Sequence, residues 1–113
     1  MTPPNPSVRM AGTKGGRSMS TYIILSKVSP GAFDSPEDFR RLARKVADQI
    51  RSECPGLTIR ESYSAMGQYD VVDIVECEDP KEVERASMII RSYGRSATEV
   101  LYATRWQEFM EKI

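Results

Sequence analysis

The strongest constraint on how this chain folds is the order in which its apolar residues switch between the two-residue period of a strand and the period of about 3.6 of a helix. Tyr22–Val28 (YIILSKV) is rich in β-branched and aromatic residues and stops at the turn signal Ser29-Pro30-Gly31, so it reads as a strand. Apolar groups fall on both of its faces, and such a strand needs cover on both sides. Ser35 before Pro36, with Asp38 three positions on, marks a helix start. Phe39, Leu42, Ala43, Val46 and Ile50 then recur at helical spacing, and Pro55-Gly56 ends the helix, which spans about Pro36 to Glu53. Thr58–Ala65 and Tyr69–Cys77 are strand-like runs joined by Met66-Gly67-Gln68, an antiparallel hairpin. Asp79-Pro80-Lys81-Glu82 repeats the start signal, with Asp79 as cap and Glu82 placed to reach back in a capping box. Val83, Ala86, Ile89, Ile90 and Tyr93 form the stripe of this second helix, and Gly94 is placed to be its left-handed C-terminal residue. Thr98–Ala103 is a fourth strand. Thr104, with Gln107 three later, opens a short last helix whose Trp106, Phe109, Met110 and Ile113 offer an apolar face for docking.

The order β-α-β-β-α-β predicts an α+β domain of the ferredoxin-like plan, a four-stranded antiparallel sheet with both helices on one face and a short C-terminal helix added. The other sheet face is left open. About half the strand residues pointing that way are apolar, and a monomer seldom exposes an apolar patch beyond roughly 300–600 Å². Face-to-face pairing of two sheets, a homodimer, is therefore expected. At 113 residues the chain suits one core. Residues 1–18 hold three of the seven glycines and three of the seven prolines, and they read as a disordered, basic tail before a domain over 19–113. Met19 stands as an alternative start.

Composition removes several classes of function. Sixteen basic residues balance sixteen acidic ones, so no net field draws the chain to nucleic acid or to an anionic membrane. The apolar runs are too short to cross a bilayer and no secretory segment follows the start, which predicts a soluble cytoplasmic protein. Cys54 and Cys77 stand alone and read as reduced, structural thiols. Histidine is absent, which removes the commonest general base and metal ligand. Nothing in the pattern requires a cofactor or a resident metal.

The run Gly67-Gln68-Tyr69-Asp70-Val71-Val72, after Tyr63 and before Ile74-Val75-Glu76, together with the opening strand Thr21-Tyr22-Ile23, resembles the GYD-domain family of small bacterial proteins. The likeness covers about Met19 to Ile113. It implies a dimeric α/β barrel and carries no established activity. Asp73 departs from the apolar residue expected there. A second likeness, through the hairpin turn, is to the effector-binding domain of leucine-responsive regulators, which sense amino acids at domain interfaces. This chain lacks the helix-turn-helix that precedes that domain.

The hairpin holds the candidate site. Pairing symmetrical about Gly67 sets Glu61 opposite Asp73 and puts Glu61, Tyr63, Tyr69 and Asp73 on one face, with Arg60, Ser62, Ser64, Asp70, Val72 and Ile74 on the other; a one-residue slip changes the partners. Two facing carboxylates repel by about 3 kcal/mol at ~5 Å and an effective dielectric near 20. A bound cation or metal, a shared proton, Lys27 or an arginine would offset that. One reading is thus a polar pocket in which Glu61 and Asp73 hold a cationic ligand or act as base, with Tyr63 and Tyr69 as walls or proton donors. The other is a solvated acidic face. Asp70 either holds the hairpin backbone or points into the cleft. Gly67 supplies a positive φ. Tyr22, Tyr102 and Trp106 are core or cavity lining, and Arg85, Arg91 and Arg95 the solvated side of the second helix. The function these features predict is a non-catalytic dimeric binding module that senses a small molecule or serves as accessory subunit in a larger complex. The alternative is a small cofactor-independent enzyme, an oxygenase, isomerase or lyase working through carboxylate or tyrosine proton transfer.

Overall fold

The structure is a computed structural model that describes residues 18–113. The tail expected over residues 1–18 lies, but for Ser18, outside the described residues. The elements are β1 (Ser20–Val28), α1 (Pro36–Glu53), β2 (Thr58–Ser64), β3 (Val71–Cys77), α2 (Pro80–Tyr93), β4 (Ser96–Ala103) and α3 (Trp106–Lys112). The four strands form one sheet of order β2-β3-β1-β4, antiparallel at every pair.

Local chemistry places the helices where the sequence marks them. The Ser35 hydroxyl accepts from the Asp38 N–H at 3.1 Å to cap α1, and an Asp79 carboxylate oxygen accepts from the Lys81 N–H at 2.9 Å to cap α2. Three caps differ from expectation. Glu82 does not turn back on its own helix: its carboxylate accepts from the Gly56 N–H at 2.9 Å and so ties α2 to the turn that follows α1. Thr104 does not cap α3, whose N-terminal residue is Arg105 without a side-chain cap bond. Gly94 is right-handed at φ −85°, and Arg95 takes the positive φ of 50° instead.

Glycine is needed at 94 for a different reason. A Cβ there would lie 2.5 Å from the Ile90 carbonyl oxygen and 3.2 Å from a Val46 methyl, so the crossing of α1 and α2 depends on its absence. Gly94→Ala is expected to cost about 1–3 kcal/mol, the usual penalty for forcing atoms into a packed contact, and urea unfolding measures it.

The core joins Ile24, Val75 and Cys77 of the sheet to Ile50 and Cys54 at the end of α1 and to Val83, Ala86, Ile89 and Ile90 of α2. Both cysteines are free and buried, and burial pushes the Cys77 thiol up to about 11, so it stays protonated and unreactive. The two helices sit differently. The α2 backbone lies against β4, β3 and β1, whereas the Cα atoms of α1 come within 8 Å of those of α2 and of no strand. That stand-off opens a cleft between the apolar side of α1 and the sheet.

Alternation along the strands gives two unlike sheet faces. Ile24, Ser26, Asp73, Val75 and Cys77 point toward the helices, and Ile23, Leu25, Val72, Ile74 and Leu101 point away, with Ile23 set between Ile74 and Leu101. Nothing in the described chain covers this second face. The Cα atoms of α3 come within 8 Å of those of no other element, and Trp106, Phe109, Met110 and Ile113 are all exposed.

Candidate functional site

Hairpin geometry decides which of the expected site residues meet. The link between β2 and β3 is one residue longer than Met66-Gly67-Gln68. Tyr69 belongs to it, and the Ala65 N–H donates to the Asp70 carbonyl at 2.9 Å to close a four-residue loop. An even loop shifts the pairing by one: Ser64 faces Val71, Tyr63 faces Val72, Ser62 faces Asp73 and Glu61 faces Ile74. A bulge at Arg60 absorbs the extra residue, so Ile59 again faces Val75. Gly67 takes the positive φ, at 143°.

Glu61 and Asp73 are therefore not partners, and the repelling pair expected from symmetrical pairing does not exist. Glu61 and Tyr63 lie on the open face, where the Tyr63 hydroxyl donates to the Glu61 carboxylate. Tyr69 reaches across β1 to donate to the Glu99 carboxylate on β4. Each acceptor carboxylate raises the phenol it holds, so both tyrosines are neutral donors rather than bases. Arg60, carried to the same side by the bulge, pairs with Glu76 at 2.8 Å.

Asp70 serves the backbone. Its carboxylate accepts from the Val28 N–H at 2.8 Å, and its own N–H donates to the Ser26 carbonyl at 2.8 Å, which clips the loop to β1. Asp70→Ala is expected to cost about 1–3 kcal/mol by leaving the part-buried Val28 N–H without a partner. Chemical denaturation checks it.

Asp73 alone among the five candidates enters the cleft behind α1. This cleft has a volume of about 250 Å³ and is lined mainly by apolar groups, among them Phe39, Leu42, Val46, Ile50 and Ile90. Ser26, Ser62, Ser96 and Asp73 are the polar residues on its strand floor, and Asp73 is its one ionisable side chain. The Ser62 hydroxyl donates to Asp73 at 2.5 Å. Loss of hydration raises the Asp73 carboxyl above its ordinary 3.8, and the Ser62 bond offsets part of the rise. Ser26 is 3% exposed and its hydroxyl has no partner in the protein. A buried hydroxyl without a partner costs on the order of 1–3 kcal/mol.

Ser26 and Ser62 were not singled out in the sequence. Ser26 left a signal there: within YIILSKV it interrupts the face that carries Ile24. Tyr22 instead packs edge-to-face on Tyr102, with ring centroids 5.6 Å apart, and Trp106 lies 5.8 Å from Phe109 on α3; none of the three lines the cleft. Arg85, Arg91 and Arg95 are exposed. Among the described residues no three carboxylate or thiol side chains converge, so a metal held by the Glu61 and Asp73 pair has no geometric basis.

A raised carboxyl gives a pH dependence with a definite sign. Folding favours the neutral form of Asp73, so its contribution is complete below about 3.8 and is lost as pH rises through the higher folded value. Asp73→Asn is accordingly expected to be more stable than the parent at neutral pH and no different near pH 3, read from paired urea midpoints.

A four-stranded antiparallel sheet of this order, with two helices on one face, is the ferredoxin-like α+β fold. Solved structures of the same fold include a proposed chlorite dismutase, at TM-score 0.56 and 16% identity over 75% of this chain, and the leucine response regulatory protein of Mycobacterium tuberculosis, at TM-score 0.51 and 13% identity over 77%. The chain spans only 42% and 53% of those two, and they bear on fold alone. The chain belongs to the GYD-domain family, whose model matches residues 22–113. A relative from Thermus thermophilus, the glutamine synthetase and cystathionine beta-lyase binding protein, is 28% identical over 85 residues, 75% of this chain and 88% of that protein.

Proposed function

We propose that the protein is a non-catalytic, homodimeric binding module that acts as an accessory subunit to a larger metabolic enzyme. The single observation behind this reading is the uncovered sheet face, where Ile23, Leu25, Val72, Ile74 and Leu101 form a continuous apolar centre. A charge-rimmed apolar surface of this kind fits a subunit interface, whose centre is poor in charge and whose edge is polar. Pairing with a second copy covers it and completes a barrel of two sheets. The exposed Trp106, Phe109 and Met110 of α3 then serve the partner enzyme, since aromatic and methionine side chains dominate the energetics of protein recognition. The Thermus relative, named for binding two enzymes, supports a binding role.

Catalysis has less support in the site. The cleft holds one carboxylate and three serines, and the one serine bonded to the carboxylate, Ser62, has no imidazole or amine beside it to take its proton. Asp73 as a lone proton acceptor is the remaining enzymatic reading, and a turnover assay with Asp73→Asn would expose it. Native mass spectrometry of the untagged protein from its own cells tests the proposal. The expected spectrum shows twice the chain mass together with a heavier assembly containing an enzyme. A chain-sized species with no larger companion contradicts it.

A further inference from the structure

The cleft behind α1 holds one carboxylate, Asp73, among mainly apolar walls. Ser26 Oγ is buried on β1 with no acceptor or donor to meet it, and on the neighbouring strand Asp73 presents its carboxylate to the same space. Ser62 spends its proton on Asp73, so the free capacity of the cluster is mostly acceptor: the carboxylate oxygens and the lone pairs of two hydroxyls. A ligand group that satisfies it must bring donors. No basic side chain lines the cleft, so the charge of Asp73 is unmatched within it.

We propose that the cleft binds a small primary ammonium ion with an apolar body, the ammonium donating to Asp73 and the body lying against Leu42, Val46 and Ile50 of α1. An ammonium matches the charge of Asp73 and brings three donors on one compact head, which a single hydroxyl does not. The volume sets the size. A dry cavity of about 150 Å³ accepts benzene, so the 250 Å³ here takes a body of roughly six to eight carbon atoms with its amine. A carboxylic acid is excluded, because it would place a second negative charge beside Asp73.

The site lies within one chain and goes beyond the dimer reading, which it neither needs nor supports. It also accounts for a conflict in the empty protein. The desolvated Asp73 lowers stability at neutral pH, and a cation in the cleft reverses the sign of that contribution.

Titration of the full chain with hexylamine, 1-hexanol and hexanoate, followed by calorimetry and by methyl chemical shifts, tests the proposal. Hexylamine is expected to bind at least about tenfold more tightly than hexanol, the factor set by a charge-assisted hydrogen bond. Shifts should centre on Leu42, Val46, Ile50 and Ile90, and hexanoate should not bind. Asp73→Asn should bring the amine down to the level of the alcohol. Equal affinity for amine and alcohol, a preference that survives Asp73→Asn, shifts centred elsewhere, or no saturable binding overturns it. Sedimentation of the same samples reports the oligomer separately, so failure of the ligand site and failure of the dimer are told apart.

Discussion

Ile74→Glu is expected to turn the proposed dimer into a monomer and leave the fold intact. Ile74 sits on the open face between Ile23 of β1 and Glu61 of β2, directed away from every helix. In a lone chain the new carboxylate meets water, and folding stability should change by no more than about 0.5 kcal/mol. Between two sheets it would be desolvated with no cation opposite, and an unpaired buried charge costs about 3–5 kcal/mol. That range corresponds to a dissociation constant raised by at least about a hundredfold. Analytical ultracentrifugation with circular dichroism separates the two effects. A parent-like dimer from the variant means that this face is not the interface, and an unfolded variant means that Ile74 belongs to the core.

Removal of α3, by a stop after Thr104, should cost the protein its partner enzyme while leaving its unfolding free energy within about 0.5 kcal/mol. No Cα atom of another element lies within 8 Å of one in the helix, and its Trp106, Phe109 and Met110 are all exposed. Little folding energy resides there. Binding energy is another matter, because central aromatic anchors each contribute about 2 kcal/mol or more. Trp106→Ala and Phe109→Ala should each weaken capture of the partner by roughly thirtyfold, equivalent to that figure, and the truncation should abolish it. Surface plasmon resonance against the enzyme found in the native assembly gives the numbers. A truncated chain that unfolds early would show that α3 packs on its own domain.

The element order was legible because it is written in short-range chemistry. The change of period between Tyr22–Val28 and Phe39–Ile50, and the caps at Ser35 and Asp79, need no knowledge of the rest of the chain. The open face followed from alternation alone. The pairing of the hairpin did not, because it depends on two one-residue events that cancel. The loop takes in Tyr69, which shifts every partner near the turn, and the bulge at Arg60 shifts them back. A symmetrical reading therefore matched Ile59 with Val75 and still placed Glu61 against Asp73, on the wrong face from its partner. The longer loop goes with a tertiary contact: Asp70 is held by two bonds to β1 while its carbonyl closes the loop with Ala65.

The cleft was hidden for a similar reason. Its floor was partly visible, since Asp73 breaks an apolar strand and Ser26 breaks another. Its roof was not, because the distance of α1 from the sheet is fixed by how closely α1 crosses α2. That approach rests on Gly94 having no side chain, whereas the sequence suggested only a helix end there. Glu82 illustrates the same limit. Its spacing from Asp79 fits a capping box, yet the Gly56 N–H on a distant turn is the stronger claimant.

A mixed-label experiment addresses the pairing of the two sheets directly. One portion of protein carries protonated isoleucine and leucine methyl groups on a deuterated background, the other is protonated throughout, and the two are exchanged through mild denaturant. Intermolecular contacts in the refolded sample should join the methyls of Ile23, Leu25, Ile74 and Leu101 to protons of the second copy, with none from Ile24. If those four methyls see only solvent while the protein sediments as a single chain, the uncovered sheet needs no second copy and the dimeric module is wrong.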